Sequence, residues 1–221
     1  MAAPHLRVSC TGLSKNLAAV LPSLVVAAGQ ALDLARDFSG IRICADDLPD
    51  QEGAWYRLEP VADPGAQPFL VLFCQVKCFG PVEGVSAAGF PPRAVWEQSP
   101  MPGRFTEGAE AAFSRERSSI FLHHHLLTAR DLARGAVVGR NLPATLAEAF
   151  AEAWAVGVDG RLERLGLPGY PVAERRASFA RVFSPAGILL PDHWQVFQSL
   201  WDGAIPDQKG VLDVLKWLPG L

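Results

Sequence analysis

Clustered positive charge is the first thing this sequence lacks. Of its 20 basic residues only Lys15, Lys77, Lys209 and Lys216 are lysines, and the arginines are scattered among 23 acids, leaving a formal charge of −3. A phosphate-binding surface needs grouped cations, so no nucleic-acid partner is expected. Cysteine is sparse too. Cys10, Cys44, Cys74 and Cys78 do not make a disulfide framework in a chain of 221 residues. Cys74 and Cys78 alone are a poor zinc site, with no second pair nearby. All four read as small hydrophobes, free thiols in a reducing cytoplasm. No basic stretch with an apolar run behind it opens the sequence, so a secretory leader is not expected. The most apolar early stretch, Leu17 to Ala28, is too short to span a bilayer and contains Pro22. The expectation is a cytoplasmic protein without membrane contact.

Three catalytic signatures are also missing. There is no GxxxxGK[ST] phosphate loop, no GxGxxG and no GxSxG elbow. Nucleotide-dependent chemistry and serine hydrolysis are therefore disfavoured, and no cysteine stands in a recognisable nucleophile context.

What is present is a globular pattern. Hydrophobic residues make up 49% and charged residues 19%, which argues against disorder over most of the chain. The length fits one large domain over 1–221, strand-rich across 1–109 and helical across 110–221. His5 to Cys10 alternates as a first strand. Leu17 to Arg36 places apolar residues at helical spacing, entered from Ser14, with Pro22 inside its early turns. Ile41 to Ala45 reads as a short buried strand, Trp55 to Leu58 as an edge strand, and the apolar run Pro68 to Cys74 as a central strand. Gly80 to Gly108 is a long connection with one short strand near Ala94 to Trp96. Helical patterns then follow over Glu110–Leu132, Leu142–Gly157, Val172–Phe183, Asp192–Trp201 and Gln208–Leu218. Strands first and helices afterwards predict an α+β fold, a small mixed sheet backed by the first helix.

The candidate chemistry sits on the helical half. His123, His124 and His125 are consecutive, so on a helix they point about 100° apart and cannot all meet one ion. Only the His124 face carries further oxygen donors, Thr128 and Asp131, at helical spacing. The next helix offers Glu148 and Glu152, four apart and hence on one face. Packed antiparallel, the two helices would present His124, Glu148 and Glu152 as a mixed nitrogen and oxygen cluster suited to zinc. Glu148 also stands three residues after Thr145, the spacing of a capping box.

From His124 the sequence His-His-Leu-Leu-Thr resembles the His-Glu-x-x-His helix of the gluzincin zinc metallopeptidases, and Glu148 falls 24 positions on, where thermolysin-like members place their glutamate ligand. The resemblance covers about a fifth of the chain, residues 118 to 163, and the strand-then-helix layout looks zincin-like. In that family a second helix supplies the glutamate, and an acid four residues later orients the first histidine. The resemblance therefore implies zinc held by His124 and Glu148, with Glu152 orienting His124. It also departs from the family. His125 stands where the catalytic glutamate belongs and Thr128 where the second zinc histidine belongs, so Asp131 or His123 would have to complete the coordination.

Three functions follow as expectations. The first is a zincin-like protein that has lost peptidase chemistry, holds no metal or only weakly bound zinc, and acts on a protein or peptide partner. The second is an active metal-dependent hydrolase with His125 as the base. The third is a homo-oligomer assembled through Trp194, Phe197, Leu200 and Trp201, a helical stripe that serves as core or as a dimer face. Asp159 to Arg164 reads as a salt-bridged helix start in which Arg161 could instead anchor an anion. Glu174, Arg175 and Arg176 read the same way, as a salt-bridged helix start. Asp192 is the expected cap of its helix.

Overall fold

The computed structural model describes residues 6–45, 54–61, 63, 65–79, 113–137, 142, 144–184 and 189–218. The expected connection 80–108 and its strand lie outside these residues. The protein is mixed α and β, with a four-stranded sheet in the N-terminal half and, among the described residues, six α-helices.

The strands are β1 (Arg7–Thr11), β2 (Gly40–Ala45), β3 (Ala54–Glu59) and β4 (Phe69–Cys74), in the order β1-β2-β4-β3. β1, β2 and β4 run parallel, and β3 closes one edge antiparallel to β4. The period of two turns Ile41, Ile43, Tyr56, Leu70 and Leu72 to one face, where all are buried. The opposite face carries Arg42 over the Phe69 ring at 5.1 Å and Arg57 over Phe73 at 5.2 Å. The apolar run of β4 is thus a central strand, as its sequence suggested, and β3 is an edge.

Helix α1 (Lys15–Ala31) connects β1 to β2 and packs on α2 (Arg115–Ala133). Ser14 caps it, its hydroxyl accepting from the Leu17 amide at 3.4 Å. It ends five residues earlier than the apolar spacing suggested, because Asp33 turns left-handed at φ 53° and only a short 3-10 turn follows at Leu34–Arg36. Helix α2 (Arg115–Ala133) is capped by Ser114. The remaining helices are α3 (Ala147–Arg164), α4 (Val172–Phe183), α5 (Pro191–Trp201) and α6 (Gln208–Leu215).

The C-terminal end of α3 differs from expectation for a reason of packing. α3 does not stop at Gly157 but runs on through the Asp159–Arg164 stretch, which is its last turns rather than a new start. A Cβ at Gly160 would collide with the Trp201 carbonyl at the end of α5, so this glycine permits close helix approach. Thr145 does not cap α3 either. The cap position is Leu146, which makes no side-chain cap bond. α5 begins at Pro191, and His193 rather than Asp192 serves its first turn, with Nδ1 accepting from the Leu190 amide at 3.2 Å.

One hydrophobic cluster runs from Leu17 of α1 through the sheet's inner face to Leu218 beyond α6. Among the described residues no helix is long and apolar enough to cross a membrane.

Candidate functional site

The three histidines lie in the middle of α2, and all three are buried. Their fan around the helix axis gives each a different partner. His123 Nδ1 faces the Ser119 carbonyl one turn back, at 2.7 Å. His124 turns towards α3, where its Nδ1 lies 2.9 Å from Asp159 Oδ1. His125 turns towards the sheet and meets the hydroxyl of Tyr56 on β3. The histidines do not converge, as helical geometry requires.

Asp159 is the centre of the buried network. Its Oδ1 also accepts from the Tyr170 amide at 3.1 Å, and its Oδ2 accepts from Nε of Arg175 on α4. Arg175 is 1% exposed. Its guanidinium stands over the Tyr170 ring at 4.9 Å and reaches Glu152 Oε1 at 3.7 Å, an ion pair too long for a hydrogen bond. The second Glu152 oxygen accepts from the Ser178 hydroxyl at 2.9 Å. Four ionisable side chains from α2, α3 and α4 therefore share one dry region, where a paired charge is tolerated and an unpaired one is not.

Electrostatics assign the protons. Burial lowers the pKa of His124, and Asp159 only partly offsets this. A neutral imidazole facing a carboxylate carries its proton on Nδ1, which donates to Asp159 and leaves Nε2 as the lone pair. The Arg175 Nη2 at 3.5 Å from that Nδ1 is then a contact between two donors, not a hydrogen bond. Burial pushes the Asp159 carboxyl up, but the charges and hydrogen bonds of His124 and Arg175 outweigh it and hold it below the ordinary value. With His124 neutral, the guanidinium is the charge that does this at neutral pH. Burial raises the Glu152 carboxyl, with Arg175 opposing. Burial also drives His125 well below its ordinary value and Tyr56 well above. The phenol thus stays protonated and donates to a neutral His125 Nδ1.

The residues singled out from the sequence separate in space. Glu148 is exposed on the first turn of α3, about 16 Å along the helix from Asp159, the acid that His124 does meet. Glu152 is buried but turned to Arg175 and Ser178, so it does not orient His124. Asp131 is bound by the fork of Arg161, one of whose bonds is 3.0 Å. Thr128 donates to the His124 carbonyl at 3.0 Å. Among the described residues no three His, Cys, Asp or Glu side chains are grouped so as to hold a metal. Trp201 is buried, its indole donating to Glu163 at 2.7 Å, while Trp194 is 38% exposed.

Asp159 and Arg175 entered the sequence reading only as members of salt-bridged runs, and Tyr56 and Tyr170 were not singled out. The signal for Arg175 was present. With Ser178, Phe179 and Phe183 it recurs at helical spacing on the buried face of α4. Asp159 follows Glu152 by seven residues, two helical turns, which shows only once α3 is continued past Gly157.

No family model matches the chain, and neither a curated protein nor a solved structure matches it.

Proposed function

We propose that this chain is a zincin-like scaffold that has lost peptidase chemistry and acts by binding a protein or peptide partner. The observation that carries the reading is the pairing of His124 with Asp159. In the gluzincin pattern the acid that orients the first histidine stands four residues after the glutamate ligand. If Asp159 is that acid, the ligand position is Ala155, not Glu148, and it carries no donor. Thr128 at the second histidine position is bonded to the backbone, and His125 at the base position is bonded to Tyr56. The orienting pair persists while the metal ligands it would serve are gone. The strand-rich half leading into the histidine-bearing helix supports the same reading.

The network that remains is structural: the His124 side chain is 3% exposed and offers no open face to a substrate. The four cysteines are free, which fits a cytoplasmic, reducing setting. The scattering of the cations favours a protein or peptide partner over nucleic acid. Self-association is a second reading, favoured by Leu190 at 42% and Trp194 at 38% exposed near the start of α5.

Elemental mass spectrometry on tag-free protein, purified without chelators beside His124→Ala, tests the main reading. The expected result is no metal in either protein, even after zinc is offered. Near-stoichiometric zinc that disappears in His124→Ala would overturn it and restore the metal-dependent hydrolase.

A further inference from the structure

A separate feature lies on the far side of α3. The helix face bearing Ala153, Gly157, Arg161 and Arg164 is about 200° round the axis from Asp159. There α3 meets the end of α5 and the start of α6 around a pocket of about 170 Å³. We propose that this pocket binds a small organic monocarboxylate with an apolar, ring-sized body.

The size suits such a body, since an apolar cavity of ~150 Å³ accommodates benzene. The floor is apolar, with Trp154, Leu200, Ile205 and Val211 contributing to it. Gly157 is part of the same floor. Apolar walls with few polar groups are the usual composition of a small-molecule site.

Arg161 and Arg164 both line the pocket. Arg161 is paired with the Asp131 carboxylate. Among the described residues Arg164 bonds the neutral Trp201 carbonyl and forms no ion pair. A guanidinium with no carboxylate bound to it thus stands at an apolar pocket, where the carboxylate of an apolar ligand would be its partner. Gly203, at φ 79°, leaves room for that guanidinium: a Cβ there would meet Arg164 Nη2 at 2.6 Å.

Benzoate is the probe, titrated into the full chain with 15N-labelled tryptophan while the Trp154 indole signal and the heat of binding are followed. Benzamide, of the same shape without charge, and inorganic phosphate, charged without an apolar body, are the controls. The expected result is saturable benzoate binding that shifts the Trp154 signal. Benzamide and phosphate should bind at least about tenfold more weakly, and Arg164→Gln should weaken benzoate by a similar factor. Arg164→Lys, which keeps the charge, should retain part of the affinity, and far-ultraviolet circular dichroism checks that both variants fold. The proposal is overturned by no saturable benzoate binding, by equal binding of benzamide or phosphate, or by folded Arg164→Gln and Arg164→Lys proteins that bind benzoate like the parent.

Discussion

His124 Nδ1 and Asp159 Oδ1 stand 2.9 Å apart, joining positions 35 residues apart in sequence across the α2–α3 interface. The bond fixes the imidazole tautomer and ties both helices to α4, because the other Asp159 oxygen belongs to Arg175. Such a network stabilises the fold only while every member is present.

Arg175 is the member whose loss should cost most. It is the one cation facing two buried carboxylates, Asp159 and Glu152. Arg175→Met keeps the apolar volume and strands both acids. The expected destabilisation is about 3–5 kcal/mol, read from urea unfolding at neutral pH. A triple change of Arg175, Asp159 and Glu152 to Met, Leu and Leu should recover much of that loss, since no charge is then left buried. A loss from Arg175→Met alone no larger than that of a surface substitution would show that the network is not dry.

Tyr56 ties the sheet to α2 through His125. Tyr56→Phe keeps the ring and removes the donor, leaving His125 Nδ1 buried without a partner. The expected cost is about 1–3 kcal/mol. A double-mutant cycle with His125→Leu separates the bond from ring packing: the second change should cost much less in the Tyr56→Phe background than alone. Additive costs would mean that the contact contributes nothing.

The buried histidines make stability fall with acidification. Burial lowers the pKa of His123, His124 and His125 below the ordinary 6.5. Well above that value both folded and unfolded chains carry them neutral. Below it the unfolded chain takes up protons that the folded chain refuses, so the unfolded state gains. Each such group costs up to about 1.4 kcal/mol per pH unit until its folded pKa is reached. The lowered Asp159 carboxyl continues the trend at more acid pH, whereas the raised Glu152 carboxyl opposes it near the carboxylate range. The melting temperature should drop between roughly pH 7.5 and pH 5.5, and His125→Asn, which cannot titrate, should flatten that drop. A flat profile in the parent protein would contradict the burial of these rings.

The strands and the order of helices were legible in the sequence because period-two and helical apolar patterns record burial directly. The runs at Ile41 and Phe69 and the cap at Ser14 landed close to where they were placed. The site was less legible. Counting from His124 placed its acid at Glu148 and Glu152, but a pairing between helices depends on how far one slides past the other, which no local pattern records. Gly157 misled because a glycine in the interior of a helix looks, in sequence, like one that ends it. Arg175 was read as part of a salt-bridged helix start, although its phase on α4 placed it inside.

The exposure of Trp194 distinguishes it from Trp201 on the same helix. Trp201 is 6% exposed and bonded to Glu163, so a polar residue there should damage folding. Trp194→Ser should leave the fold intact and weaken any self-association. Sedimentation velocity over a wide concentration range measures it directly. A parent protein that stays strictly monomeric at the highest concentration would remove the oligomer reading and leave the partner to be sought among other proteins.

The proposed descent of the site can be tested by rebuilding it. If Asp159 orients His124 as in the gluzincin pattern, the missing groups belong at positions 125, 128 and 155. His125→Glu with Thr128→His and Ala155→Glu would supply the base, the second histidine and the glutamate ligand, while the native His124–Asp159 pair stays in place. Ala155 is 2% exposed, so its new carboxylate is a buried unpaired charge without metal, and the apo variant should melt well below the parent. Zinc should reverse this, because metal bound only by the folded state adds to stability. The expected outcome is one zinc per chain and a melting temperature restored by zinc, neither of which is expected of the parent. The matching variant with Glu148 kept as ligand, His125→Glu with Thr128→His alone, should bind zinc far more weakly. Tight zinc binding by that double variant would place the ligand at Glu148 after all, and failure of both would sever the zincin resemblance from the His124–Asp159 pair.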